Sequence, residues 1–181
     1  THTFFVNVLA TTGVDGLALR KGGRVIAKGG PGPAPDAPAI PAVFHDANDY
    51  VARHLDRNQV IPLQTLRGCR NHCSYCLYPA GGFRPFPLDR VAQELAFLCH
   101  RRVRHVRVCD SHFAGSRKRA MELFEIIKGL NRDSTFYLYP DPSHLDPEYL
   151  QAADDANCRV LSIGIETLDP SVSLAVERRP S

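Results

Sequence analysis

From Val60 onward the chain repeats one rhythm: a short apolar run of strand length, a polar loop, then a stretch whose apolar residues recur at helical spacing. Residues 60–65 open the series as a strand, and residues 89–102 follow with Val91, Leu95 and Leu98 on one helical face. Residues 105–109 (HVRVC) read as a second strand, and residues 117–131 as a helix with Leu123, Ile126, Ile127 and Leu130 along one side. Residues 135–139 form a third strand. Asp146 as N-cap and Pro147 in the first helical position open a helix through Ala156. Residues 159–165 (RVLSIGI) make a fourth strand. Strands separated by helices pair in parallel through right-handed crossovers. The pattern therefore predicts an α/β fold, a partial TIM-like (β/α) barrel. Chemistry in such barrels gathers at the C-terminal ends of the strands. Those ends here carry a cysteine-rich loop, then Asp110-Ser111, Asp141 and Glu166.

The first part of the chain follows another pattern. Residues 1–28 alternate short apolar runs with glycine turns, a small β-rich segment with a hairpin turn at residues 21–23. Residues 29–42 contain Pro31, Pro33, Pro35, Pro38 and Pro41 among small residues, so they neither pair in a sheet nor continue a helix. This stretch reads as a linker, leaving residues 43–181 for the barrel. The sequence opens on Thr1 and its single methionine is Met121, which suggests a piece of a longer protein.

Composition excludes more than it assigns. The net charge of +3, from 22 Lys and Arg against 19 Asp and Glu, is too small an excess to imply a nucleic-acid or membrane partner. No apolar run reaches the roughly 20 residues of a membrane span, and residues 1–10 lack the basic start of a signal peptide. Six cysteines at irregular spacing read as reduced thiols, some reserved for metal or redox work, which fits a cytoplasmic protein.

The stretch that carries chemistry is Arg67-Gly68-Cys69-Arg70-Asn71-His72-Cys73-Ser74-Tyr75-Cys76. Its CxxxCxxC spacing puts three thiolates on one short loop, where they can hold three irons of a cubane [4Fe-4S] cluster. The loop supplies no ligand for the fourth iron, which is left able to bind a small molecule. A zinc site completed by His72 is the alternative, although zinc ligands usually come as paired CxxC elements. Cys99, Cys109 and Cys158 are candidate fourth ligands, or simply buried thiols behaving as small hydrophobes. Arg67 and Arg70 are either cluster-tuning charges or solvated loop residues.

Around these residues the chain resembles the radical S-adenosylmethionine (SAM) superfamily, including the aromatic Tyr75 just before the third cysteine. The resemblance runs from about Val60 to the end. It implies that Cys69, Cys73 and Cys76 bind the cluster and that the open iron chelates the amino and carboxylate groups of SAM. One electron then cleaves SAM to methionine and a 5′-deoxyadenosyl radical. It further implies that Tyr75 lies near the adenine and that Glu166, in the run Gly164-Ile165-Glu166-Thr167, contacts the SAM amino or ribose groups. A reducing partner such as a flavodoxin or ferredoxin would supply the electron, and the substrate would be an unidentified small molecule or peptide.

Within that superfamily, residues 14–25 (VDGLALRKGGRV) and the proline-rich run resemble the stretch between a cobalamin-binding domain and the barrel. The RGCxxxCxYC form of the loop and the IGIET run point the same way. The implied class is the cobalamin (B12)-linked one, which includes methyltransferases. No DxHxxG motif of a cobalamin domain occurs ahead of the proline-rich run, so either that domain lies upstream or the likeness is to the connecting segment alone. A different reading is an iron-sulfur module that moves electrons or binds a partner without cleaving SAM.

Other candidates are less committed. Asp110, Ser111 and His112 either face the site or cap a helix, and Asp141 between two prolines is a turn residue or a substrate contact. Tyr137 and Tyr139 line a pocket or fill the barrel. Gly81-Gly82 is too short a glycine signal to name a phosphate site.

Overall fold

The computed structural model describes residues 17–28, 51, 53, 57, 60–76, 82–130 and 133–176. The chain divides into two compact units, Thr1–Pro35 and Asp36–Ser181. The proposed linker, residues 29–42, lies outside the described residues, as does Gly81.

In the smaller unit β1 (Leu17–Lys21) and β2 (Arg24–Lys28) form an antiparallel hairpin closed by Lys21 opposite Arg24. Gly22 and Gly23 have φ of +57° and +79°, the paired left-handed conformation that a two-residue turn needs to match strand twist. The turn falls where the glycine pair predicts it.

The larger unit runs β3 (Ile61–Leu63), β4 (Leu66–Arg67), β5 (Arg84–Pro85), α1 (Leu88–His100), β6 (His105–Val108), α2 (Arg117–Leu130) and β7 (Thr135–Leu138). A 3-10 turn (Pro142–His144), α3 (Pro147–Asp155), β8 (Cys158–Leu161) and α4 (Pro170–Ala175) follow. Strands β3, β6, β7 and β8 lie side by side in that order, every pair parallel. Sequential parallel neighbours with a helix between them are the open wall of a partial TIM-like barrel, as predicted.

Strand alternation decides what the wall buries. Ile61, Leu63, Val106, Val108, Phe136 and Leu138 are buried in one cluster with Val91, Leu95 and Leu98 of α1, Leu123, Phe124 and Ile127 of α2, and Tyr149 of α3. Each such side chain contributes roughly 1.5–3 kcal/mol by leaving water. Phe124 bridges two aromatic neighbours, tilted against Phe113 at 5.2 Å and edge-on to Tyr149 at 5.0 Å.

Several boundaries differ from the sequence reading. Helix α1 stops at His100 because Arg102 adopts φ +55°, with its N–H on the Cys99 carbonyl and the Val103 N–H on Leu98, a Schellman ending without glycine. The third strand ends at Leu138, just before Tyr139-Pro140, where proline offers no N–H to a ladder. The fourth strand is displaced: it spans Cys158–Leu161 and not 159–165, its last ladder bond running from Ser162 N–H to the Leu138 carbonyl. The IGIET run is therefore loop. An antiparallel pair also went unforeseen: β4 and β5 pair Leu66 with Pro85 and Arg67 with Arg84, closing the two ends of the cysteine loop.

Candidate functional site

The cysteine loop leaves the sheet immediately after β3, and a buried carboxylate fixes its departure. Asp110, just past β6, accepts from the Thr65 N–H at 2.7 Å, the Thr65 hydroxyl at 2.5 Å, the Leu66 N–H at 3.2 Å and the Ala114 N–H at 3.1 Å. Burial pushes the Asp110 carboxyl above its ordinary range, and these bonds act against that shift. Ser111 donates its hydroxyl to the Gly68 carbonyl at 2.5 Å, while Arg119 reaches the Phe86 carbonyl on the far side of the β4–β5 pair. Asp110 and Ser111 thus tie the loop to β6; neither caps a helix.

Gly68 is required by space as well as by conformation. Its φ is +76°, and a Cβ there would sit 1.5 Å from the Gly82 carbonyl oxygen. Beyond it, the Cys76 N–H bonds the Cys73 carbonyl at 3.0 Å, a single tight turn that carries the second and third cysteines. The Asn71 N–H lies 3.4 Å from the Cys69 sulfur, and the Ser74 N–H joins the loop to Val176 at the end of α4. Cys73 is buried, Cys69 and Cys76 half-buried, and His72 points to solvent. Arg70 lies over the Phe83 ring at 4.4 Å.

The loop faces a cavity of about 220 Å³ at the C-terminal ends of the strands. Cys69, Asn71, Cys73, Tyr75 and Cys76 line one side, and Ser111 and His112 follow β6. Tyr139, Pro140, Asp141 and Pro142 come from the end of β7, and Ser162, Gly164 and Glu166 from beyond β8. The five residues that the sequence singled out as cluster or SAM contacts therefore share one cavity. So do Asp141 and His112, whose Nδ1 lies 4.0 Å from the Asp141 carboxylate. Burial raises the Asp141 carboxyl, but the Ser143 hydrogen bonds and the neighbouring His144 and His112 outweigh it and hold the group below its ordinary range. Asp141 also caps the 3-10 turn through the Ser143 N–H and hydroxyl, so it is a turn residue and a cavity wall at once.

The other cysteines stand elsewhere. Cys99 lies on α1 near Ser134, Cys109 lines a second cavity beside Arg107, and Cys158 is buried in the core. Burial pushes the thiols of Cys99 and Cys109 up, and that of Cys158 to about 12, and none of the three lines the cavity of the cysteine loop. Among the described residues no three His, Cys, Asp or Glu side chains converge as on a single metal ion. Tyr137 and Tyr139 line the second cavity, and they do not belong to the buried core cluster. Asn71, Ser162 and the Asp110 clamp were not anticipated, and a polar residue within a few positions of a cysteine is too common a signal to have found them.

The pattern of the Radical SAM superfamily matches residues 63–181, about two thirds of the chain. The chain belongs to the radical SAM superfamily. Radical SAM proteins use a [4Fe-4S] cluster and SAM. The ribosomal protein uS12 methylthiotransferase RimO of Geotalea uraniireducens (strain Rf4) is 28% identical over 152 residues, covering 75% of this chain and 34% of RimO. Two structures of the radical SAM methyltransferase TsrM from Kitasatospora setae share the fold. One has tryptophan substrate and the SAM analogue aza-SAM bound (TM-score 0.60); the other has cobalamin and a [4Fe-4S] cluster bound (TM-score 0.59). Each is 22% identical and aligns over 67% of this chain and 25% of TsrM. This radical SAM chain thus spans about a third of RimO and a quarter of TsrM.

Proposed function

We propose that the chain is the SAM-cleaving part of a radical SAM enzyme, with Cys69, Cys73 and Cys76 as the three thiolate ligands of a [4Fe-4S] cluster. The observation that carries this reading is the shared cavity: three soft donors and Tyr75 on one loop line a space at the C-terminal ends of parallel strands, with Glu166 contributed from beyond β8. A cubane takes each thiolate at a different corner, so its ligands need not converge as they would on one metal ion. The donor set fits. When bound, the cluster supplies the electron that breaks SAM into methionine and a 5′-deoxyadenosyl group.

The chain's own residues hold the reactants. The Asp110 and Ser111 bonds fix where the loop leaves the sheet, and the Asn71 N–H gives the Cys69 sulfur a hydrogen bond of the kind that tunes a cluster. Tyr75, 55% exposed, offers its ring to the adenine. Glu166 accepts from the SAM amino or ribose groups, and Tyr139, Pro140 and Pro142 wall the far side against water.

We extend the reading to domains and class. Residues 1–28 and 29–42 are the segment and linker before the barrel, and residues 43–181 the barrel's first part. Group transfer of a methyl or methylthio kind, in a cobalamin-linked form, is the favoured outcome, because residues 14–25 resemble the segment joining a cobalamin domain to the barrel. A cytoplasmic setting and a flavodoxin or ferredoxin donor complete the proposal. Among the described residues no helix is long and apolar enough to cross a membrane.

Anaerobic reconstitution of the full-length protein with iron and sulfide, then addition of SAM and a strong reductant, tests the proposal. Sulfur-to-iron absorbance and 5′-deoxyadenosine are expected, and C69A, C73A or C76A should each abolish the product. E166Q should raise the KM for SAM about tenfold. A protein that instead binds one zinc tightly and shows no such absorbance would overturn the assignment. Cobalamin uptake by the same protein, read from its visible spectrum, checks the class.

A further inference from the structure

The helix-facing side of the sheet is apolar, but the opposite face is not. Alternating with the core positions are Pro62 on β3, His105 and Arg107 on β6, and Thr135 and Tyr137 on β7. Inward positions of a closed parallel barrel are ordinarily branched aliphatics packed in layers. Here a guanidinium and two phenols take such places and line, with Pro62, Cys109 and others, a cavity of about 650 Å³ on the inner face of the four-stranded sheet. It meets the cysteine cavity at Ser111 and Tyr139, which line both.

Arg107 is held but not neutralised. It donates through Nη2 to the Tyr139 hydroxyl, and its Cζ lies 5.3 Å from the centre of that ring. Tyr137 is stacked on His105 at 6.4 Å with 17° between the ring planes, and His105 Nδ1 lies 2.8 Å from the Thr135 hydroxyl, so the face is braced. Among the described residues no carboxylate lies within ion-pair distance of Arg107. Asp110, which also lines the cavity, is committed to Thr65, Leu66 and Ala114.

We propose that Arg107, on this inner face, is a specificity residue that binds a carboxylate or phosphate on the substrate, flanked by the rings of Tyr137 and Tyr139. The proposal rests on the radical SAM reading of the adjoining cavity. A guanidinium presents several N–H donors in a fixed fork, so the tyrosine can hold one edge while another pairs with an oxyanion in two parallel bonds. The anionic end is anchored at Arg107 and the reacting end lies toward Ser111 and Tyr139, where the two cavities join. A neutral analogue would leave the guanidinium without its partner, so Arg107 is a positioning and specificity residue.

The test titrates the full-length protein, before and after cluster reconstitution, with benzoate, phenyl phosphate and neutral benzamide by isothermal titration calorimetry. At least one anion should bind about tenfold or more tightly than benzamide, as expected for a charge-assisted pair. The tighter anion tells carboxylate from phosphate. R107Q should erase the difference and R107K keep part of it, while circular dichroism reports the fold of both variants. Equal binding of all three probes, or anion binding by R107Q as tight as wild type, would overturn the proposal. A protein that binds the anions through Arg107 but builds no cluster contradicts the radical SAM reading alone; one that builds the cluster and ignores the anions contradicts this inference alone.

Discussion

Gly68 and Asp110 set the geometry of the cysteine loop without touching any ligand. The reading of CxxxCxxC needed only the spacing of Cys69, Cys73 and Cys76, because three thiols on one short loop are close whatever the rest of the chain does. Asp110 was harder: its partners Thr65 and Leu66 lie 45 and 44 residues away, a pairing that no local pattern encodes. The sequence offered it as a cavity residue or a helix cap; it does line the inner-face cavity, and its carboxylate satisfies N–H groups where a strand breaks into a loop. Gly68 was legible only as part of a motif; the approach of the Gly82 carbonyl explains it. G68A should cost at least about 1 kcal/mol from the left-handed backbone alone. It should also cut iron incorporation, because the loop must move to clear Gly82. Urea unfolding and iron content of the reconstituted protein check this, and unchanged iron loading would mean that the loop tolerates the shift.

At the scale of elements, periodicity located α1, α2 and strands β3, β6, β7 and β8 to within a few residues but not the short α4, and α3 was marked by its cap: Asp146 accepts from the Tyr149 N–H at 2.8 Å with Pro147 in the first turn. What escaped was what has no period. The β4–β5 pair is two residues on each side, too short for alternation to show. The end of β8 was misread because Ile163 and Ile165 look like strand, yet they lie beyond the last ladder bond and are 42% and 53% exposed. The end of α1 shows the same limit, since nothing in Arg101-Arg102 signals a left-handed residue. That position yields a prediction: R102G should stabilise the protein by about 1 kcal/mol, because glycine adopts positive φ without a Cβ penalty. A higher urea midpoint at unchanged slope would show it. A lower midpoint would mean that the exposed Arg102 side chain contributes more than its backbone costs.

For the whole molecule, four parallel strands in sequential order bring the loop after each strand to one end of the sheet, so residues from 69 to 166 share a single cavity. That convergence was legible from the βα rhythm, since parallel strands joined by crossover helices all point their C-terminal ends one way. The polar inner face was legible only in the pair Tyr137 and Tyr139, offered as pocket or barrel filling; Arg107 was not, because HVRV gives no sign of which of its two sides faces the helices until the neighbours are placed. The central claim is that the three loop cysteines hold a cluster with one iron left for SAM. Mössbauer spectroscopy of the anaerobically reconstituted full-length protein, with and without SAM, tests it most directly. The account predicts about four irons per chain, with the signal of a single iron changed by SAM and the whole spectrum lost in C69A, C73A or C76A. A cluster whose irons are all indifferent to SAM, or one retained after those cysteines are replaced, would contradict it.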